Sequence, residues 1–224
     1  KQIMQLLDRD GIKIEEVNDY HRYPIADNDT PKLSSDRLEY TLSNGLGVRK
    51  KLWDLEEVRE IYQNIEIQKN EDGIEELGFK DISIAEKFIE NMSTLSISYM
   101  DSKTKLSMQF LADIIKKMYN QNLIKQNDLY NLSEKEIIQK IENCKYDNIS
   151  ESFKKWKNTT KIYESENYQE NKYCKSIRTK IRYINPLIND NGKYTRIDKI
   201  STKAKEEIQK CLNYKTLKYA YFDF

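Results

Sequence analysis

The chain has 224 residues, of which 38% are hydrophobic and 33% charged, with only nine Gly and Pro together. That balance excludes fibrous and disordered classes and predicts a mostly helical globular protein with room for a sizeable core. No apolar run approaches the roughly 20 residues that cross a bilayer, and no basic stretch followed by an apolar one opens the sequence, so a cytoplasmic protein without membrane contact is expected.

The net charge of +1 conceals a division at Ser150: 21 Lys and Arg stand against 28 Asp and Glu before it (−7), and 17 against 9 after it (+8). A basic carboxy-terminal third can face nucleic acid or another polyphosphate, or it can attract the acidic half of the same molecule.

In chain order, "KQIMQLLDRDG" starts inside a helical pattern, with Ile3, Leu6 and Leu7 at helical spacing, and the expectation is that the chain is the carboxy-terminal portion of a longer protein. "IKIEEVNDYHRY" predicts a second short helix ended by Pro24, whose ring disfavours helix at Tyr23. After the loop "PIADNDTPKL", helix resumes near Ser34 or Ser35, which can cap it, and runs to Gly45 and Gly47 as stops.

"DLEEVREIYQNI" predicts a further helix capped by Asp54, with Leu55, Val58, Ile61 and Tyr62 on one face. "IEIQKNEDGIEELGF" reads as a small hairpin turning at "NEDG" on the edge of the helical body. Helix returns from Ile82 to about Asn120, where Leu106, Phe110, Ile114 and Met118 recur every four residues as core positions. "LSEKEIIQKIENC" begins with the capping box Ser133 and Glu136.

Beyond Ser150 the sequence is polar, aromatic and basic. "CKSIRTKIRYINPLI" and "GKYTRIDKI" predict strands around the turn "NDNG", followed by helix "STKAKEEIQKCL" and a strand-like "KYAYFDF". The expected organisation is a helical domain over 1–145 and a small basic α+β appendage over 146–224. Cys144, Cys174 and Cys211 are odd in number and widely spaced, which points to reduced structural thiols.

Chemistry concentrates in "YPIADNDTPKLSSDRLEYTLSNG". Asp36, Tyr40 and either Ser43 or Asn44 fall on one helical face, while Leu38 and Leu42 define another. A carboxylate, a phenol and an amide on successive turns can hold a cation, a phosphate oxygen and a sugar hydroxyl. The alternative is a solvated helix entrance, in which Asp36 serves the helix dipole. Asp27 and Asp29 could flank a cation, but "DNDTP" also suits a side-chain-to-backbone turn. His21 reads as a capping or hydrogen-bonding residue or as a group behind the acidic loop.

"IADNDTPKLSSDRLEYTLSNG" resembles a segment of bacterial proteins of the HD-domain superfamily related to the deoxynucleoside triphosphate triphosphohydrolases. The likeness covers roughly Tyr20 to Gly45 and extends more loosely through "MQFLADIIKKM". It implies a portion of an HD-type helical bundle and a metal-dependent phosphohydrolase acting on a nucleotide or other phosphoester. Asp36 would be the last ligand of an H…HD…D divalent-metal site, and Tyr40 would approach phosphate. Asn44 stands where that family usually carries a sugar-contacting Asp. A helix corresponding to the one after Tyr99 carries basic and aromatic phosphate contacts there, which brings in Tyr99 and Lys103. The chain has one histidine, His21, followed by Arg22, so the H…HD ligands are expected ahead of Lys1.

The rival readings are an HD-like scaffold or nucleotide-sensing module that has lost its metal, and a nucleic-acid binder using the basic third, where "KKWK", "KYCKSIRTKIRY" and "KYTR" interleave cations with aromatics. A homo-oligomer is also among the expected partners.

Overall fold

The computed structural model describes residues 2–47 and 51–224 and is mainly helical with small sheets. Helix α1 (Gln2–Arg9) buries none of its side chains, and α2 (Ile14–Val17) is a single turn followed by a 3-10 turn at Tyr20–Arg22, which Asp19 caps. Several helices, α3 and α4 among them, begin where side-chain caps satisfy their first N–H groups. Ser34 opens α3 (Ser35–Leu46), and Asp54 with Glu57 forms a capping box on α4 (Leu55–Asn64). Strands β1 (Ile65–Lys69) and β2 (Glu75–Phe79) are the expected hairpin, and Gly73 takes the positive φ of +75° that its turn requires. Helix α5 (Ile82–Met100) gives way to α6 (Ser102–Asn120) at Asp101, whose side chain accepts from the Lys103 N–H.

Next come α7 (Gln126–Asn131), α8 (Glu134–Glu142), with the expected Ser133–Glu136 capping box, and α9 (Asp147–Asn158). Strands β3 (Tyr163–Ser165), β4 (Cys174–Ser176), β5 (Leu187–Asp190) and β6 (Lys193–Arg196) follow. Helix α10 (Thr202–Leu212) and β7 (Tyr219–Tyr221) close the chain.

These elements form two units, each drawn from two stretches of chain: Lys1–Tyr99 with Ile181–Tyr214, and Met100–Lys180 with Lys215–Phe224. The boundary expected at 145/146 lies inside the second unit, between α8 and α9. The expected appendage is therefore shared between the two cores. Hairpin β5–β6 turns at the foreseen "NDNG", but β5 pairs in parallel with β2, which makes one four-stranded sheet of order β1-β2-β5-β6. The β1–β2 hairpin is thus not wholly at an edge; β2 is interior, and Glu76 through Phe79 are all buried.

The strand expected across "CKSIRTKIRYINPLI" shrinks to its two ends, β4 and β5. Gly45 does not stop α3 but lies within it. A methyl group at Gly45 would sit 2.3 Å from the Trp53 indole, so only glycine lets that ring cover the helix. Leu55 and Tyr62 of α4 are exposed, and Ile61 carries its buried face.

One face of the first sheet, with Leu77, Phe79 and Ile188, joins Leu38, Leu42, Trp53, Phe88, Ile89, Met92 and Ile208 in the core. Helix α10 is fastened to α5 by polar contacts: the Ser93 hydroxyl donates to Glu207 at 3.0 Å, and Ser201, the cap of α10, donates to Glu86. The opposite sheet face buries charge. Glu76 and Arg196 have side chains only 1% and 7% exposed and meet in a fork-to-fork pair, Nη1 to Oε1 at 2.6 Å and Nη2 to Oε2 at 2.9 Å.

Every donor of Arg196 is used: Nε and Nη2 also reach Glu71 at 3.1 and 2.9 Å, and Nη1 also donates to the Asn185 carbonyl at 3.0 Å. Glu76 accepts in addition from the Leu33 N–H at 3.2 Å and the Asn70 amide at 3.1 Å. The network closes the sheet, the β1–β2 turn and the loop ahead of α3 around one pair of charges.

The second unit packs α6 through α9 and the three-stranded sheet β3-β7-β4 around an aromatic core. The expected Leu106, Phe110, Ile114 and Met118 are its α6 contribution, each no more than 2% exposed. Phe110 is the hub, with ring centroids of Tyr173, Trp156, Phe222 and Phe224 at 5.0 to 6.0 Å. Asp113, one turn further on, ties α6 to the segment around β4: it accepts from the Tyr173 hydroxyl at 2.9 Å and from Gln109 at 2.8 Å, and pairs with Lys175 at 2.7 Å. Cys174 and Cys211 are buried and all three cysteines are free thiols. No helix among the described residues is long and apolar enough to cross a membrane.

Arg196→Ala should destabilise the first unit by roughly 3–5 kcal/mol, because it strands the Glu76 carboxylate. Urea unfolding followed through Trp53 in a Trp156→Phe background measures this. Replacing both partners, Glu76→Met with Arg196→Met, should recover much of the loss.

Burial pushes the Asp113 carboxyl up, but Lys175, Tyr173 and Gln109 outweigh it and hold the group below its usual range. A depressed folded value means that its stabilisation is complete above the unfolded value, about 3.9, and is lost as pH falls through the folded one. Hydrogen exchange across α6 and β4 should therefore accelerate below about pH 4, and Asp113→Asn should remove much of that dependence.

Candidate functional site

The stretch that carries most of the chemistry in the sequence begins as a loop held from within. The Asn28 amide donates to the Pro24 carbonyl at 2.9 Å and the Leu33 carbonyl at 3.0 Å, and Asp27 accepts from the Asn28 N–H at 2.8 Å. Arg37, in the first turn of α3, reaches back to the Asn28 side chain and carbonyl and to the Lys32 carbonyl. Asp29 receives the Tyr20 hydroxyl at 3.4 Å. Both acids thus take part in shaping the turn. His21 is exposed, stacks on Tyr20 at 4.0 Å between centroids and lies 3.0 Å from Asp19.

Helix α3 starts against this loop. The Ser35 and Asp36 N–H groups donate to the carbonyls of Ile25 and Ala26 at 2.8 and 3.1 Å, and Ser34 accepts from Arg37. Its first-turn donors are therefore spent on protein, and what α3 offers a ligand is its side chains. Leu38 and Leu42 face the core as expected, and Trp53 locks the far end by donating to the Leu42 carbonyl at 2.8 Å. The opposite side of the helix presents Asp36 exposed, Tyr40 half-buried and Asn44 exposed.

Tyr99, near the end of α5 and 55 positions beyond Asn44, comes to this side of α3. Its hydroxyl is shut off from water and has no hydrogen-bond partner among the described residues. Burial raises its pKa above the usual 10.0; the Asn44 amide opposes the rise, the Tyr40 phenol adds to it, and Arg182 opposes it. The Asn44 contact falls short of hydrogen-bond geometry. The groups that act on Tyr99 of α5 thus come from two further segments: Tyr40 and Asn44 from α3, and Arg182 from the segment entering β5. The ensemble combines a phenol that stays protonated well above neutrality, an amide, and a permanent cation within electrostatic reach.

The structure thus brings together three of the residues singled out in the sequence and adds Arg182. Arg182 lies in a basic stretch read as part of a strand, 83 positions beyond Tyr99, and no local pattern distinguishes it from its cationic neighbours. Asp36 occupies the same side of α3, one turn before Tyr40. No group of three His, Cys, Asp or Glu among the described residues could hold a metal ion, so Asp36 does not form a metal site with them. Lys103 belongs to α6, in the second unit.

Removing the Tyr99 hydroxyl should be tolerated by the fold. Tyr99→Phe deletes a buried donor without a partner, and thermal unfolding should show unchanged stability or a gain of about 1 kcal/mol. No family model, curated protein or solved structure matches the chain.

Proposed function

We propose that the first unit binds the phosphate or sugar-phosphate of a nucleotide or other phosphoester, as the substrate-binding portion of an HD-type phosphohydrolase. The observation that carries this reading is the buried, unpartnered Tyr99 hydroxyl beside Tyr40, Asn44 and Arg182. A buried hydroxyl without a partner costs about 1–3 kcal/mol, which a phosphoryl oxygen accepting its proton would recover. Tyr40 and Asn44 would complete the donor set, and Arg182 would offset the ligand's charge. Because burial holds the Tyr99 phenol protonated, it serves as a donor rather than as a base. The HD resemblance of "SSDRLEY" selects the same side of α3 on separate grounds.

In that reading Asp36 would be the final ligand of a divalent ion, which would supply an activated water and polarise the phosphoryl group. The described residues do not fit such an ion by themselves. The same observation favours a second reading, in which the unit senses a nucleotide without turning it over.

Calorimetry of the full chain with inorganic phosphate and with a nucleoside triphosphate tests the binding. Tyr99→Phe and Arg182→Ala are each expected to weaken affinity about tenfold while the fold is kept. Unchanged affinity in both variants would overturn the site. Metal-stimulated phosphate release that disappears in Asp36→Ala would establish the enzyme, whereas binding without release in the intact protein would establish the sensor.

A further inference from the structure

The second unit contains a cleft that the α3 ensemble does not use. It lies between α6 and α9 beside the chain around β4 and β7, and has about 300 Å³ of space. Its apolar lining is mostly aromatic: Phe110, Tyr173 and Phe224 beside Ile114, with Phe224 stacked at 5.3 Å and 4° on Phe222. Trp156 stacks on Phe110 at 5.7 Å and 20°, so these rings are held in fixed planes by their neighbours.

Among the side chains of the polar lining, one sign is left over. Asp113 is neutralised by Lys175 at 2.7 Å and further occupied by Tyr173 and Gln109. Lys117, one turn along α6 from Asp113, and Lys155 of α9 also line the cleft, and neither ammonium takes part in an ion pair among the described residues. The unit as a whole has the same bias: 18 Lys and Arg against 12 Asp and Glu give +6, where the first unit, with 20 against 25, has −5.

We propose that this cleft binds a compact aromatic phosphate, with its ring against the half-buried Phe224 and Tyr173 and its phosphate between Lys117 and Lys155. The chemistry selects both parts of the ligand. A phosphate gives two lysines without an ion-pair partner a counter-charge, and a planar ring covers the apolar area of Phe224 and Tyr173. A phosphate on a planar ring satisfies both in a space of this size. Tyr173 does not provide the ionised partner, since its hydroxyl is committed to Asp113 and its pKa is raised by burial first and then by that carboxylate.

Phenyl phosphate added to the full chain should quench or shift Trp156 fluorescence, read in a Trp53→Phe background and confirmed by calorimetry on the unmodified chain. The affinity should fall as salt rises, because exposed lysines are screened. Lys117→Ala with Lys155→Ala, both at exposed positions, should weaken binding about tenfold or more with the circular dichroism spectrum unchanged. Phenol and inorganic phosphate should each bind at least about tenfold more weakly than phenyl phosphate. Unchanged affinity in the double variant, or inorganic phosphate binding as tightly as phenyl phosphate, would overturn the proposal.

Discussion

The first unit is organised around the buried pair of Glu76 and Arg196. Two charges this far from water are costly unless every donor and acceptor is met, and here they are: five N–H groups of the guanidinium and four contacts on the carboxylate are all engaged. Those partners come from β2, the end of β6, the β1–β2 turn, the loop before α3 and the loop before β5. Such a pair is a poor source of net stability compared with apolar packing, but it is a strict condition on geometry. Only one arrangement of hairpins and loops leaves no charge stranded.

That condition reaches the candidate site through Leu33. Its N–H is held by Glu76, and the Asn185 N–H donates to the Pro31 carbonyl at 2.9 Å, so the chain entering α3 is fixed to the sheet at two points. Ser34 then caps the helix, Arg37 ties it to the Asn28 loop, and Trp53 closes over Gly45 at the far end. The side of α3 bearing Asp36, Tyr40 and Asn44 inherits its orientation from these contacts. Arg182 comes from the same returning segment that supplies Asn185 and Arg196. The cation near Tyr99 and the ion pair of the sheet therefore share one structural origin.

The second unit uses a different principle. Its core is a set of aromatic rings around Phe110, and its principal polar link, at Asp113, joins α6 to the segment around β4. The basic character seen beyond Ser150 belongs partly to this unit and partly to the first, because 181–214 returns to the first core. A charge count along the sequence averages over segments that belong to different units.

What the sequence determined by itself was local. Helix starts at Ser34, Asp54 and Ser133, the turns at "NEDG" and "NDNG", and the α6 stripe of Leu106, Phe110, Ile114 and Met118 all depend on contacts within a few residues, so their chemistry is written side by side. The shared side of α3 bearing Asp36, Tyr40 and Asn44 was legible for the same reason. Tertiary structure alone decided that Gly45 continues a helix, since the reason is the indole of Trp53, and that β5 joins β2 in parallel, since the reason is the burial of Glu76 by an arginine 120 positions away. It also decided that Arg182 comes within electrostatic reach of Tyr99. Pairings over such distances are fixed by desolvation and packing between surfaces that exist only once the chain has folded, and no short pattern records them.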